Sequence, residues 1–111
     1  MDKRLKKIAE HYGYECQSRQ LVEEMAELTQ AINKFWRKQL KWGSKELHEV
    51  PFGTQEEINI AEEIGDVEIC LEQIKWLLGM KQAVNASKEF KIAREIERIK
   101  KHKKESKDNG N

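Results

Sequence analysis

The chain has 111 residues, of which 37% are charged and 38% hydrophobic, and its formal net charge is +1. This length suits a single domain, and the near-neutral total argues against a strongly basic nucleic-acid-binding protein. The two cysteines are too few for a disulfide framework or a cysteine-rich zinc site. No stretch approaches the roughly 18 apolar residues of a membrane helix, and the first residues lack the apolar stretch of a secretion signal. We therefore expect a soluble cytoplasmic protein with no membrane partner.

The charges are distributed unevenly along the chain. Residues 15–80 contain seven basic and thirteen acidic residues, a net charge of −6. Residues 81–111 contain ten basic and five acidic residues, a net charge of +5. Two interpretations stay open. In the first, the charged residues form solvated helix faces. In the second, the acidic residues form a metal site and the fold brings basic groups beside it, an arrangement that would suit a metal–polyphosphate substrate.

The composition favours helices, because the chain has one proline and six glycines among many good helix formers. Residues 3–11 are predicted to form a short basic helix that ends before Gly13. Residues 16–40 are predicted to form the first long helix. Residues 41–55 contain the proline and two glycines, and are predicted to be a long connection. The first long helix has an apolar stripe spaced by four and three residues, as in helical bundles: Leu21, Met25, Leu28, Ile32 and Phe35.

The second long helix is predicted over residues 55–78. Thr54 followed by Glu57 fits a capping box at its start, and Gly79 ends it. Its apolar stripe has a similar spacing: Ile60, Ile64, Val67, Leu71, Ile74 and Leu78.

A last helix is predicted to be capped by Asn85 or Ser87, to fray from Lys100 and to give way to a disordered tail at 105–111. These segments together predict an all-α, four-helix-type bundle with one domain per chain, over residues 1–104.

Both long helices carry the same acidic pattern, in which two adjacent acids are followed, after two spacers, by a third. The residues are Glu23, Glu24 and Glu27 on the first helix, and Glu62, Glu63 and Asp66 on the second. At about 100° per residue, Glu24 and Glu63 lie about 60° from the centres of the apolar stripes. Glu27 and Asp66 lie about 120° away in the same rotational sense. If the stripes pack together, these four carboxylates converge.

Converging carboxylates repel one another, and a divalent cation relieves that repulsion. Carboxylate oxygens are ligands suited to Mg²⁺ or Mn²⁺. Gly65 lies between Glu63 and Asp66, and a glycine inside a helix suggests that another group approaches closely. A single acidic pair is typical of a solvated surface, but two matched patterns make a divalent-metal site a real alternative.

The segments LVEEMAEL (21–28) and AEEIGDVEICL (61–71) resemble the MazG-like, all-α nucleoside triphosphate pyrophosphohydrolases. The resemblance covers residues 15–80. It implies the fold of the all-α NTP pyrophosphatases and cleavage of a nucleoside triphosphate to the monophosphate and pyrophosphate. It also implies that Mg²⁺, which Mn²⁺ can replace, is bound by Glu24, Glu27, Glu63 and Asp66. The family forms its sites in dimers or tetramers, so the resemblance implies a homodimer or homotetramer.

A catalytic water would be oriented by the metal together with Glu23 or Glu62. Gln17 and Gln20 lie on the acidic side of their helix and could contact a base, and Lys38 on the same side could contact phosphate. Solvation or helix capping would also explain these three residues.

Two further predictions rest on the resemblance. Trp36 is a candidate for stacking on a base, although an interface or core role also fits. Lys91 and Arg94, in a basic run after Gly79, are the nearest counterparts of the family's phosphate contacts.

An alternative function is a non-catalytic dimerisation or adaptor module with a basic C-terminal helix. Phe90 is the only aromatic residue among the basic residues of that helix. Because single-stranded nucleic acids are bound by several stacking aromatic residues beside basic ones, this argues against a nucleic-acid partner. An adaptor would tolerate glutamine at the acidic positions, whereas a hydrolase would not.

Overall fold

The computed structural model describes residues 1–41, with side chains to residue 38, and residues 54–109. These residues form three α-helices: α1 (Lys3–Lys41), α2 (Gln55–Leu77) and α3 (Lys81–Asp108). No β-strand occurs within the described ranges, so the prediction of an all-α chain is confirmed. Among these helices, none is long and apolar enough to cross a membrane.

Glycines and a capping box set the helix boundaries. Gly13 has φ 79° and ψ 172°, so the helical geometry is interrupted at the predicted break. A left-handed φ of this kind favours glycine, which has no Cβ. The helices predicted over residues 3–11 and 16–40 are nevertheless joined across this kink in α1, which gives three helices in the described residues where four are predicted.

Thr54 caps α2 through both bonds of the predicted box: its hydroxyl accepts from the Glu57 backbone N–H, and the Glu57 carboxylate accepts from the Thr54 backbone N–H. Gly79, with φ 61°, follows the end of α2. The predicted connection at 41–55 lies almost entirely outside the described residues.

The chain divides into two compact units, Met1–Leu78 and Gly79–Asn111. The first contains α1 and α2, and the second contains α3.

Helices α1 and α2 form an antiparallel hairpin. Gln17 bonds to Gln73, whereas Lys38, further along α1, bonds to Glu56, near the start of α2. Side chains that are buried or half-buried between the helices recur with a three-four spacing on each helix. They are Gln17, Leu21, Glu24, Leu28, Ala31, Phe35 and Lys38 on α1, and Glu56, Ile60, Glu63, Val67, Cys70, Ile74 and Leu77 on α2. Gln73 is also buried and lies beside the α2 row. We call these two rows the seam.

The seam differs in phase from the predicted apolar stripes. Met25 and Ile32 are 50% and 47% exposed, and Ile64 and Leu71 are also exposed. Relative to the predicted stripe, the seam of α1 is rotated by about 50° toward the carboxylates. As a result, Glu24 lies in the seam rather than beside it, and part of the apolar stripe of each helix is left on the surface.

Several of the exposed apolar side chains of the two helices lie on the same side of the hairpin. Because α1 and α2 are antiparallel and face each other, residues displaced from the seam in the same rotational sense share a face. By this geometry, one face carries the acidic residues Glu27 and Asp66. The opposite face, which we call the apolar face, carries seven large hydrophobic residues: Val22, Met25, Ile32, Trp36, Ile64, Leu71 and Leu78.

Helix α3 is one continuous helix, and none of its residues is buried. It begins at Lys81 with Met80 as its N-cap residue, so the prediction that Asn85 or Ser87 caps it is wrong. The preceding Lys81–Val84 segment contains no helix breaker, so the helix begins as soon as Gly79 has ended α2. The helix runs to Asp108, past Lys100 and into the segment predicted as a disordered tail.

Candidate metal centre

Three carboxylates converge midway along the hairpin. One ligand oxygen from each of Glu24, Glu63 and Asp66 lies within 4.8 Å of the other two. Glu24 and Glu63 are half-buried in the seam, and Asp66 is exposed at its edge. Gln20 Nε2 donates to Glu24 Oε1 at 2.7 Å and so helps to orient that carboxylate. Three hard oxygen ligands at this spacing could hold a divalent cation and leave positions open for water or phosphate.

Two oxygens of this cluster are buried without a donor. Among the described residues, no N–H or O–H group donates to Glu24 Oε2 or Glu63 Oε2. Their polar neighbours include other carboxylates, since Glu63 contacts Glu27, and Asp66 contacts Glu24. Two carboxylates attract each other only when a proton or a cation lies between them. The cluster is therefore short of positive charge, and a cation fits the donor set.

The same surroundings disfavour ionisation. Loss of solvent raises the pKa of Glu63 above its ordinary value of 4.5, and the nearby Glu27, Glu24 and Asp66 add to the effect. Loss of solvent and the neighbouring Glu24 raise the pKa of Asp66 above 3.8. Both shifts mean that the folded, metal-free protein holds protons more tightly than the unfolded chain does.

We expect the metal-free protein to become less stable as the pH rises above the ordinary pKa values of Glu63 and Asp66, because the unfolded state then binds fewer protons than the native state. The stabilising protons are bound fully below the ordinary pKa values and are lost as the pH passes the raised ones. Differential scanning fluorimetry in EDTA should show a melting temperature that falls with pH, and saturating Mg²⁺ should flatten this dependence. A melting temperature that instead rises through this range would contradict the charge balance inferred for the cluster.

The other acidic residues predicted for the site lie around the cluster. Glu27 reaches the cluster through its contact with Glu63, although the residue is exposed. Glu23 and Glu62, predicted to orient water, are both exposed. Three of the four predicted ligands, Glu24, Glu63 and Asp66, are thus brought together, and Glu27 lies beside them. The roles of all these residues in binding and catalysis stay predictions.

The residues predicted to contact substrate on the hairpin have different surroundings. Gln17 is buried at 7% exposure and bonds to Gln73, so it is packed between the helices instead of facing solvent. Gln20 bonds to Glu24. Lys38 Nζ donates to Glu56 Oε1 at 3.0 Å, and this contact lowers the pKa of Glu56.

Trp36 is 57% exposed and lies on the apolar face, opposite Glu27. Within one chain it therefore does not face the carboxylates. Lys91 and Arg94 belong to α3 in the second unit, where the Arg94 guanidinium lies 5.7 Å from the Phe90 ring centroid. Their predicted role in phosphate binding stays a prediction.

The sequence alone assigns no role to Cys70 or to Gln73. Cys70 is buried one turn after Asp66; burial raises the pKa of its thiol, and Glu24 and Asp66 raise it further. A neutral thiol therefore lies beside the carboxylates. Spacing along the helix is the feature of the sequence that could have identified both residues. Cys70 follows Asp66 by four residues and Gln73 follows it by seven, so both lie on the same side of α2 as Asp66.

Gly65 has no close neighbour among the described residues. A Cβ added at this position would meet nothing within 4 Å beyond its chain neighbours and the backbone of its own helix. We therefore expect Gly65→Ala to raise the free energy of unfolding by about 1 kcal/mol, through helix propensity alone. Urea denaturation of both proteins measures this difference. A loss of stability instead would indicate that another molecule approaches the helix at Gly65.

Comparisons with protein-family profiles, with curated proteins and with solved structures give no significant match for this chain.

Proposed function

We propose that this protein is a metal-dependent nucleoside triphosphate pyrophosphohydrolase, which cleaves a (deoxy)nucleoside triphosphate to the monophosphate and pyrophosphate. The observation that carries the proposal is the pair of buried carboxylate oxygens, on Glu24 and Glu63, that no donor satisfies. A solvated acidic surface would leave such oxygens in water, whereas a cation site needs them directed inward. The resemblance of segments 21–28 and 61–71 to the MazG-like enzymes supplies the reaction.

In this proposal Glu24, Glu63 and Asp66 hold Mg²⁺, with Glu27 at the edge of the site. A bound Mg²⁺ supplies a Lewis acid for the phosphate oxygens and lowers the pKa of a bound water. Gln20 orients the Glu24 carboxylate through its hydrogen bond.

The exposed carboxylates of Glu23 and Glu62 are the candidates to accept a proton from the attacking water. A basic side chain would neutralise the charge that develops on the leaving pyrophosphate, and Lys38 is the candidate on the hairpin. A role for Lys91 and Arg94 rests on the resemblance alone.

The proposal includes self-association through the apolar face, which would complete a four-helix bundle from two hairpins. Carboxylates and amides occupy part of the seam, while Met25 and Ile32 are exposed. A two-helix hairpin on its own would be more stable if these two apolar side chains were buried in the seam instead. The hairpin buries few apolar side chains, namely Ala9, Ala31, Val67 and Cys70. An apolar face of this extent is typical of an interface, and a second hairpin would bury it.

The α1 part of the apolar face is complementary to itself. The positions that line it carry no charge: Val22, Met25, Ala26, Thr29, Ile32, Asn33 and Trp36. If two copies of α1 cross antiparallel at Thr29, Ala26 of each copy lies opposite Ile32 of the other, and Val22 lies opposite Trp36. A large residue then meets a smaller one, as close packing of a two-fold interface requires.

The test is pyrophosphate release from a panel of ribo- and deoxyribonucleoside triphosphates, with Mg²⁺, with Mn²⁺ and with EDTA. Release that depends on the metal and prefers one nucleotide would support the proposal and identify the substrate. If no nucleotide in the panel is cleaved while Mn²⁺ still binds, a modified nucleotide is the remaining substrate class. Neither release nor metal binding would favour the adaptor function.

A further inference from the structure

A buried amide pair links α1 and α2 near the kink of α1. Gln17 Nε2 donates to Gln73 Oε1 at 2.7 Å, and Gln73 Nε2 donates to the Ile69 backbone carbonyl at 3.3 Å. Gln73 is 1% exposed, which makes it the largest fully buried side chain among the described residues. A buried amide is costly unless it is hydrogen-bonded, so this contact must be kept for the hairpin to pack.

The amide pair and the carboxylate cluster occupy equivalent places in the hairpin. Glu24 lies seven residues after Gln17, and Asp66 lies seven residues before Gln73. Seven residues of helix span about 10.5 Å. Because α1 and α2 are antiparallel, the register that pairs the two amides also brings Glu24 opposite Asp66.

The apolar residues of the seam do not fix this register by themselves. On both helices large apolar side chains repeat every seven residues: Leu21, Leu28 and Phe35 on α1, and Ile60, Val67 and Ile74 on α2. A slip of one heptad would again place apolar groups against apolar groups. Thirteen residues separate α1 from α2, and at up to about 3.3 Å each they can span the hairpin in either register.

We propose that Gln17 and Gln73 are positioning residues whose amide pair selects the register in which the carboxylates meet. A slip of one helical turn moves one helix by about 5.4 Å along the other. That displacement exceeds the 4.8 Å within which the oxygens of Glu24, Glu63 and Asp66 now lie. A slip of one turn or of one heptad would separate Gln17 from Gln73 by about 5.4 or 10.5 Å along the helices and break their hydrogen bond. The expected effect on metal affinity rests on the proposed function, whereas the effect on register does not.

The test compares the wild-type protein with the Gln17→Met/Gln73→Met double variant, in which an unbranched apolar side chain of similar length replaces each glutamine. The control is Gln30→Met/Gln55→Met, at two exposed positions of the same helices. Register is measured in metal-free protein by electron paramagnetic resonance between two spin labels. One label is on the native, exposed Cys16 and the other is on Glu68→Cys, in a Cys70→Ala background, with labelled chains diluted in unlabelled protein.

We expect a single distance in the wild type and in the control. The double variant should show an additional population displaced by about one turn or one heptad, roughly 5.4 or 10.5 Å along the helix. Its Mn²⁺ affinity should fall at least about tenfold, the lower end of what an outer-shell change costs a metal site. Its helix content should stay that of the wild type, so that a loss of fold is not the cause.

An unchanged single distance in the folded double variant would overturn the proposal. If the wild type itself binds no Mn²⁺, the proposed function fails, while the distance measurement still decides the question of register. If the double variant does not fold, Gln17→Met and Gln17→Glu replace it. The carboxylate of the second can accept from the Gln73 amide, so it should keep one register where the first does not, and identical distances in the two would overturn the proposal.

Discussion

The Glu63→Gln variant is expected to lose metal-dependent pyrophosphate release and, without metal, to melt at a higher temperature than the wild type. Activity should fall by at least about 100-fold, because even an outer-shell change of a metal site costs up to that factor. Stability should rise because the substitution removes a carboxylate whose pKa is raised by loss of solvent and by Glu27, Glu24 and Asp66. Steady-state kinetics with Mg²⁺ and thermal melts in EDTA measure the two effects.

The matched control is Glu68→Gln, an exposed acid on the same helix that lies outside the cluster. It should keep wild-type activity and a wild-type melting temperature in EDTA. Opposite signs for activity and stability at Glu63 would separate a functional carboxylate from a structural one, since loss of a structural carboxylate lowers both. Full activity in the Glu63→Gln variant would contradict a metal site that includes Glu63.

The second large effect is expected from Ile32→Glu on the apolar face. If two copies pack through this face, the substitution introduces two buried charges per dimer. Each charge should cost at least about 2 kcal/mol, so association should weaken about a thousandfold. Light scattering coupled to size-exclusion chromatography should change from an oligomer to a species of 13.1 kDa.

Lys34→Glu is the control for this substitution, because Lys34 is exposed on α1 and outside the apolar face. It introduces the same side chain and should leave the oligomer intact. A wild-type protein that is already a 13.1 kDa monomer at micromolar concentration would contradict the proposed assembly. If the Ile32→Glu variant is still an oligomer, the interface does not lie on the apolar face.

The helices of the hairpin could be predicted from local signals. Gly13 and Gly79 mark the kink and the end of α2 because each adopts a positive φ that other residues avoid. Thr54 and Glu57 form the capping box that their spacing predicts. These features depend on a few neighbouring residues, so the sequence contains the information directly.

The phase of the seam could not be predicted, because it depends on contacts between helices. A search for apolar periodicity selects Met25 and Ile32, which are exposed, over Gln17 and Glu24, which lie in the seam. On α1, two overlapping rows with the same three-four spacing exist, and hydrophobicity alone favours the wrong one. The matched acidic pattern still predicts that carboxylates of the two helices converge, since both helices are rotated in the same sense.

The buried amides show a different limit of sequence reasoning. A glutamine is usually exposed, so the sequence alone suggests Gln17 as a surface residue that could contact a base. Its partner Gln73 is 56 positions away in the sequence, and only the antiparallel pairing of the helices brings them together. Polar residues inside a helical seam are recognisable from spacing only after the phase of that seam is known.

The most direct test of the carboxylate site is a titration of metal-free protein with Mn²⁺, in which electron paramagnetic resonance measures the free Mn²⁺ at each point. We predict one Mn²⁺ per chain, displaced by Mg²⁺, with affinity reduced at least about tenfold in Glu24→Gln and in Glu63→Gln but unchanged in Glu68→Gln. Absence of stoichiometric binding by the wild type, or equal affinity in all four proteins, would contradict a cation site at Glu24, Glu63 and Asp66.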